Sequence, residues 1–296
     1  MSGEPTVLFG VGAAKAATSW LHDYLVGHPD CSFRRVKELH YFDAAESGKW
    51  GGQIKRLEGE LARLNARLPE FSGKRADWFA RRVADHADWL EVLKARRRND
   101  AAYMAYLTTR GGRLVGDITP AYSLLPAETL AGMAGLAADV RFVYLIRDPV
   151  SRLWSHVRMI AARTGGEASI EDRSKALMDR VLADPTSDEA ESILSRGDYA
   201  GALLRLSSAV TPAQLFVCFM EDLLAPEGVN ALCDFLGIQR HPGQYERRVH
   251  EGTPMALDAR RRAAAVELLQ DQYEFVARIF PALPAAWQRS LGQMAA

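Results

Sequence analysis

Large apolar residues are concentrated in short runs that recur along the chain, each bounded by polar residues, glycine or proline. Such runs occupy residues 7–11, 141–146 and 214–219, and residues 113–122 form a fourth that ends in a turn at Pro120. Runs of this length and composition are typical of strands buried on both faces of a parallel sheet. The pattern predicts an α/β fold with three layers, in which a central parallel sheet lies between helices.

Apolar residues spaced three and four apart predict helices between and beyond these runs. The first helix begins at Thr18 and Ser19, whose hydroxyls suit a helix start, and its apolar stripe would face the sheet. Further helices are predicted at 52–68, 76–98, 229–236 and 257–279. A chain of 296 residues could form one large α/β domain or two small ones, and we expect one domain over residues 1–296 with a charged helical insertion at about 44–113.

The charge balance, the cysteines and the lengths of the apolar runs argue against several classes of protein. With 37 basic and 37 acidic residues, the chain has no net charge that would attract nucleic acid. Its three cysteines, Cys31, Cys218 and Cys233, lack the spacing of a zinc site or a disulfide framework. No apolar run approaches the roughly 20 residues of a membrane helix, and no signal segment precedes the first strand. We therefore expect a cytoplasmic protein without a transmembrane segment, while the basic cluster at 94–98 leaves peripheral membrane contact open.

The loop after the first predicted strand combines small residues with one lysine. Residues 10–17 are glycine or alanine except for Val11 and Lys15. An anion could therefore approach the backbone closely and meet the unsatisfied N–H groups of the next helix. A nucleotide-kinase phosphate loop places its lysine directly before Ser or Thr, whereas Lys15 precedes Thr18 by three positions. On these residues alone, an anion site and an ordinary strand-to-helix turn with a surface lysine both remain open.

A second candidate segment, KELHYFD at residues 37–43, places Lys37, Glu38 and His40 among apolar neighbours. If this segment is an extended strand, its alternation puts Glu38 and His40 on the same face. A solvated surface pair of Lys37 and Glu38 is the plainer interpretation of the same residues.

Arg147 follows the apolar run at 141–146 and would lie at the carboxyl end of that strand, where open α/β sheets bind ligands. Asp148 and Pro149 suit the cap and first turn of a helix that carries Ser155. Arg147 and Ser155 can therefore converge on one phosphate, for which an arginine fork is better suited than a lysine. A local ion pair with a helix cap is the alternative.

Together these segments resemble the motifs of sulfotransferases that use 3'-phosphoadenosine 5'-phosphosulfate (PAPS). The first loop is similar to G-x-x-K-x-G-T-[TS]-x-L-x-x-x-L-x-x-H-P, matched at Gly12, Lys15, Thr18, Ser19, Leu21, Leu25, His28 and Pro29. KELHYFD resembles the K-E-x-H-[FY]-F-D segment of carbohydrate sulfotransferases of the heparan sulfate type, and residues 147–155 match R-D-P-x-x-R-x-x-S in full. Ala17 stands where the family usually has glycine. We expect a near-helical backbone there, because a left-handed alanine is strained.

The resemblance implies a donor, a product and a set of residue roles. PAPS would be the sulfuryl donor and 3',5'-ADP the product, and no metal would be required. The residues implied in cofactor binding are Lys15, Ala16, Ala17, Thr18, Ser19 and Trp20 at the 5'-phosphosulfate, Arg147 and Ser155 at the 3'-phosphate, and Arg248 in a basic loop at 243–254. Lys15 would also act in catalysis, with Glu38 as the base that deprotonates the acceptor hydroxyl and His40 as the alternative base.

The acceptor is left open by these residues. KELHYFD favours a carbohydrate, but a lipid headgroup or a small metabolite fits as well. Two competing functions remain, a phosphate-loop kinase or NTPase that uses ATP with magnesium and Asp117, and a scaffold that binds PAPS without transfer. The placement of Lys15 argues against the kinase, as does the pair of Arg147 and Ser155, for which a 5'-triphosphate has no use.

Overall fold

The computed structural model describes residues 4–246 and 255–292. In this part of the chain four strands form one parallel sheet in the order β2-β1-β3-β4. The strands are β1 (Thr6–Gly12), β2 (Leu114–Ile118), β3 (Val140–Ile146) and β4 (Leu215–Phe219). All four coincide with the apolar runs of the sequence, so the predicted α/β fold with a central parallel sheet is confirmed.

Helices flank this sheet and supply most of the remaining described chain. They are α1 (Thr18–Gly27), α2 (Tyr41–Ser47), α3 (Trp50–Arg67), α4 (Gly73–Lys94), α5 (Asp100–Thr108), α6 (Ala127–Ala134), α7 (Pro149–Arg163), α8 (Ile170–Ala183), α9 (Asp188–Leu194), α10 (Tyr199–Ala209), α11 (Met220–Leu223), α12 (Pro226–Leu236), α13 (Ala259–Leu268), α14 (Gln270–Ile279) and α15 (Ala285–Gly292). Within the described ranges, no helix is both long enough and apolar enough to cross a membrane.

The two charged helices predicted in the insertion are confirmed as α3 and α4, within a few residues at each end. The single helix predicted at 257–279 is wrong, because the backbone leaves the helical conformation at Leu269 and separates α13 from α14. Ala265, Val266, Leu269 and Tyr273 are nevertheless all buried at helical spacing. The apolar pattern therefore continues through the break and could not reveal it.

Residues 31–43 are not the extended segment that the sequence predicts. Only Cys31 makes a bridge to the sheet, and Glu38 and His40 both have positive φ, 62° and 52°. Leu39 between them is buried, and its N–H and C=O contact Asp117 Oδ1 at 3.4 Å and Trp89 Nε1 at 3.2 Å. Anchoring Leu39 on both sides imposes a tight turn, after which α2 begins.

A buried ion pair and apolar contacts join the insertion to the rest of the chain. Arg34 and Asp85 are both buried and form an ion pair with an Nη1 to Oδ1 distance of 2.9 Å. Trp89 of α4 and Tyr103 of α5 belong to the same continuous apolar core as β1 and β3. The insertion thus supports the segment that carries Glu38 and His40.

Candidate active site

The loop between β1 and α1 turns sharply through two residues in the left-handed conformation. Lys15 has a φ of 72° and Ala17 a φ of 61°. The expectation of a near-helical backbone at Ala17 is therefore wrong. Residue 17 adopts the conformation that glycine favours, which costs about 1–2 kcal/mol for alanine. The chain turns tightly just before this residue, where the N–H of Ala16 donates to the backbone oxygen of the buried Ala13 at 3.2 Å.

Ala17 is also the residue that caps α1, and its methyl group cannot accept hydrogen bonds from the first turn. The leading N–H groups of a helix have no partner inside the helix, so they remain donors for an anion. Thr18 is buried and Ser19 half-buried at this point. The loop therefore presents backbone N–H groups and two hydroxyls around Lys15.

The second motif meets the first at the carboxyl edge of the sheet. β1 and β3 are parallel neighbours, so the residues that follow them emerge side by side. Arg147 Nη1 donates a hydrogen bond to the backbone oxygen of Lys15 at 3.1 Å. Two motifs separated by 132 positions (147 minus 15) are thus in direct contact.

Arg147 is held in place by its neighbours on two sides. The hydroxyl of Tyr199 donates to the backbone oxygen of Arg147 at 2.6 Å. Asp148 caps α7 by accepting a hydrogen bond from the N–H of Ser151 at 2.8 Å, as its position in the sequence predicts. Tyr273 donates to the other carboxylate oxygen of Asp148 at 2.6 Å. These contacts fix the backbone from which the guanidinium of Arg147 extends.

Ser155 lies on α7, the helix that follows Arg147. Met159 follows it by one helical turn, so the two side chains share a face. The sulfur of Met159 lies 3.7 Å from Lys15 Nζ. The role of Ser155 beside Lys15 and Arg147 stays a prediction, supported by its sharing a face of α7 with a residue that contacts Lys15.

Positive charge accumulates around Lys15. Burial lowers the pKa of its ammonium, and the charges of Arg147, Arg163 and Lys37 lower it further, while Glu38 acts in the opposite direction. Burial likewise lowers the pKa of Arg147. Cations that repel each other across a half-buried space favour an anion between them. The site therefore suits a ligand with more than one negative charge.

The turn at Glu38 assembles four charged side chains in a row. Glu38 contacts Lys37 on one side, and its Oε2 lies 3.5 Å from Nε2 of His40. Nδ1 of His40 in turn lies 2.7 Å from Oδ2 of Asp43. The imidazole is thus held between two carboxylates, and Glu38 between two cations.

This arrangement sets the protonation of both central groups. Burial acts to lower the pKa of His40, but its hydrogen bonds with Asp43 and Glu38 outweigh burial and raise the pKa to about 9. Burial would raise the pKa of Glu38, but His40 and Lys37 outweigh it and hold the pKa of this carboxyl well below its usual value. At neutral pH, His40 is therefore an imidazolium and Glu38 a carboxylate.

The sequence alone did not reveal several side-chain contacts at the candidate site. Lys37 looks like half of a surface pair, and Asp43 becomes the partner of His40 only because α2 begins at Tyr41. The side chain of Trp20 is anchored by a distant segment, since its Nε1 donates to the backbone oxygen of Gln244 at 3.0 Å. Arg248 lies outside the described residues.

Comparison with known proteins identifies the family of this chain and proteins of similar fold. The sequence model of the sulfotransferase family matches residues 5–242. A sulfotransferase from Alicyclobacillus acidocaldarius has a similar structure, with a TM-score of 0.61 at 20% identity over 97% of this chain and 99% of that chain. The sulfotransferase domain from the curacin biosynthetic pathway gives a TM-score of 0.51 at 19% identity over 99% of both chains. No curated protein sequence matches the chain. Because the family model covers well over half of the sequence, the chain belongs to the sulfotransferase family.

Proposed function

We propose that this protein transfers the sulfuryl group of PAPS to a hydroxyl group of an acceptor and releases 3',5'-ADP. The observation that carries the proposal is the hydrogen bond of Arg147 Nη1 to the backbone oxygen of Lys15 at 3.1 Å. It joins a loop suited to a 5'-phosphosulfate with an arginine suited to a 3'-phosphate. A ligand that carries anionic groups at both ends fits such a site better than one with a single anionic end.

The donor supplies an activated sulfuryl group, and the chain's own residues supply its binding and alignment. Lys15, the N–H groups of residues 16–20 and the hydroxyls of Thr18 and Ser19 would hold the 5' end. Arg147 and Ser155 would hold the 3'-phosphate, with the guanidinium already oriented by its contact to the loop. Fixing both ends aligns the sulfur with the acceptor, which contributes to the rate by positioning.

Lys15 would stabilise the transition state more than the ground state. During transfer, the bond between sulfur and the bridging oxygen breaks, and negative charge grows on that oxygen. An ammonium held beside it in a half-buried loop meets this charge without reorganisation. The left-handed conformation of Lys15 places the residue at the turn of the loop, between β1 and α1.

Of the two candidate bases, Glu38 is the one whose protonation state at neutral pH allows it to accept a proton. The new bond forms between sulfur and the acceptor oxygen, and the hydroxyl proton passes to the Glu38 carboxylate. His40 cannot take this proton at neutral pH, because its pKa of about 9 keeps it protonated. His40 instead donates toward Glu38 and orients it, while Asp43 holds the imidazole.

The alternative of a phosphate-loop NTPase needs an acidic residue that is free to reach a magnesium ion. Asp117, the residue considered for that role, is fully buried and accepts hydrogen bonds from Tyr103, Tyr122 and Thr119 at 3.1, 2.7 and 2.7 Å. Its carboxylate is thus used to hold the core together beneath Leu39. This arrangement supports the sulfotransferase function over the NTPase.

Transfer itself can be tested with PAPS labelled with ³⁵S, using cell-extract glycans, lipids and metabolites as acceptors. We expect labelled product with the wild-type protein and a loss of at least about 100-fold with Glu38→Gln, because one general base contributes roughly 10²–10⁴-fold. The matched control is Glu58→Gln, which alters an exposed glutamate of α3. Transfer by Glu38→Gln at the wild-type rate would contradict Glu38 as the base, and the absence of any labelled product would contradict the function.

A further inference from the structure

The side chain of Glu221 lies at the edge of the sheet where Arg147 emerges. β3 and β4 are parallel neighbours, and their last residues, Ile146 and Phe219, are paired. The two segments that follow these strands therefore leave the sheet side by side. The Glu221 carboxyl accepts a hydrogen bond from the backbone N–H of Asp148, the residue after Arg147. Glu221 is thus held against the segment proposed to bind the 3'-phosphate of the donor.

One oxygen of this carboxyl group has no partner. Within the described residues, Glu221 Oε2 is buried and makes no hydrogen bond. The indole of Trp287 lies close to the carboxyl, but its Nε1 does not reach hydrogen-bond geometry with either oxygen. A buried carboxylate oxygen without a donor costs free energy, and this cost is relieved when the group is protonated. Glu221 therefore has a structural reason to take up a proton.

Titratable groups act on Glu221 from the elements around it. Arg147 is the cation among them, and Glu221 in turn raises the pKa of the Arg147 guanidinium more than any other acidic group does. Burial nevertheless outweighs the attraction of Arg147 and raises the pKa of Glu221 above its ordinary value. The other groups are Asp148 next to the start of α7, Tyr199 on α10, Cys218 on β4 and Asp222 on α11, while Lys15 and Arg158 are close to Arg147 itself. The ionised carboxylate therefore depends on Arg147 and on the N–H of Asp148.

A phosphate bound at Arg147 would change this balance. A phosphate monoester carries about two negative charges at neutral pH. It would become the partner of the guanidinium and place its own charge near the Glu221 carboxylate. Two acidic groups held together in a half-buried space retain a proton that neither group would hold alone. A hydrogen bond between carboxyl and phosphate then replaces a repulsion.

We propose that Glu221 is a donor-binding residue, and that a nucleotide with a 3'-phosphate binds together with one proton shared between that phosphate and the Glu221 carboxyl. The proposal rests on the sulfotransferase function given above. Both the donor and the product 3',5'-ADP carry this phosphate, so both would bind less tightly as the pH rises and the proton is lost. Glu221 would thereby limit the affinity for the product, which must leave before the next donor molecule binds.

Calorimetry with 3',5'-ADP in Tris and in HEPES tests the proposal, because these buffers differ in ionisation enthalpy and so reveal the number of protons taken up. At about pH 7.5 the 3'-phosphate of the free nucleotide is already a dianion, since its second pKa is about 6. We expect the wild type to take up at least about half a proton on binding, and its affinity to fall at least about threefold between about pH 7.5 and 8.5. 5'-AMP, which lacks the 3'-phosphate, should bind with less proton uptake.

Two variants assign the proton to Glu221. Glu221→Gln keeps the size of the side chain and an oxygen for the N–H of Asp148, but it cannot ionise. It should abolish the proton uptake and, because the repulsion is removed, bind 3',5'-ADP at least about threefold more tightly than the wild type at about pH 8.5. Asp222→Asn is the matched control and should behave like the wild type, since Asp222 is the neighbouring acidic residue and is exposed. Lys15 is unchanged in both variants, so a proton taken up there would not distinguish them.

The outcomes separate this proposal from the function on which it rests. If the wild type does not bind 3',5'-ADP, both fail. If it binds 3',5'-ADP without proton uptake, or if Glu221→Gln takes up as many protons as the wild type, only the proposed role of Glu221 is wrong. A purely structural role would make Glu221→Gln weaken binding to the same extent at every pH, and that result would also overturn the proposal.

Discussion

At the level of single residues, the charges beside Glu38 decide which group can accept a proton. Glu38 has a cation on each side, Lys37 and His40, and its side chain is still 40% exposed. A carboxylate in this setting is ionised throughout the neutral range, although its low pKa makes it a weak base. The protonated state of His40 therefore has two consequences. His40 cannot compete as a base, and its N–H can orient the Glu38 carboxylate.

The protonation of His40 can be measured directly by NMR titration of the histidine ring protons. We expect a pKa of about 9 for His40, whereas burial and the charge of Arg152 lower the pKa of His156 to about 3. Because the folded pKa lies above the usual value of about 6.5, the stabilisation is complete below pH 6.5 and is lost as the pH rises through 9. Asp43→Asn should move the His40 titration downward.

A titration of His40 near pH 6.5 in the wild type would contradict this account of the site. It would mean that Asp43 and Glu38 do not hold the imidazolium, and His40 would again be available as the base. His156 provides the internal control, since its low pKa does not depend on the turn at Glu38.

At the level of elements, the insertion helix α4 helps to shape the turn at Glu38 from a distance. Trp89 of α4 is fully buried and donates from Nε1 to the backbone oxygen of Leu39 at 3.2 Å. Leu39 separates the two left-handed residues, so this bond and the contact to Asp117 hold the turn from both sides. The insertion thus has a structural role in the site that its sequence alone does not disclose.

We predict that Trp89→Phe lowers turnover while 3',5'-ADP affinity stays near the wild-type value. The change leaves the buried oxygen of Leu39 without its donor, which costs about 1–3 kcal/mol, and loosens Glu38 without touching the loop at Lys15. Steady-state kinetics together with calorimetry would separate the two effects. Trp78→Phe is the matched control, because Trp78 lies on the same helix but is 41% exposed. Equal losses of turnover in both variants would contradict the role of Trp89.

The elements differ in how far the sequence could predict them. The four strands and the helices α1, α3 and α4 follow from apolar spacing, because they bury continuous faces. The turn at Glu38 could not be predicted, because it depends on Leu39 being held by Trp89 and Asp117, which are distant in sequence. The meeting of Arg147 with Lys15 was predictable, since parallel strands end at one edge of the sheet.

At the level of the whole molecule, one apolar core connects the sheet, the insertion and the last helices. It includes Phe9 of β1, Trp89 of α4 and Trp287 of α15. The buried ion pair of Arg34 and Asp85 joins the segment before the Glu38 turn to α4. We propose on this basis that the sheet and the insertion form a single domain.

A single domain should unfold in one transition in urea. Tryptophan fluorescence and far-ultraviolet circular dichroism should report the same midpoint. Both signals cover the whole chain, because tryptophans lie in the insertion and outside it. Asp85→Asn should lower the free energy of unfolding in this one transition by up to about 3–5 kcal/mol, because it removes the buried carboxylate that pairs with both Arg34 and Arg110. Arg34 keeps its contact with Asp88, at 3.3 Å, in this variant. Two separate transitions, or a shift confined to one of the two signals, would show that the insertion unfolds independently.

The central claim is that Lys15 and Arg147 hold opposite ends of one adenosine bisphosphate, and calorimetry with 3',5'-ADP tests it most directly. We predict that the wild type binds 3',5'-ADP at least about 100-fold more tightly than ATP with magnesium, and that Arg147→Ala loses roughly 10- to 100-fold in affinity, as expected for a charge-assisted hydrogen bond. Arg141→Ala in β3, the strand that precedes Arg147, removes an arginine paired with Asp139 and should bind like the wild type. Unchanged affinity in Arg147→Ala, or tighter binding of ATP with magnesium, would contradict the account.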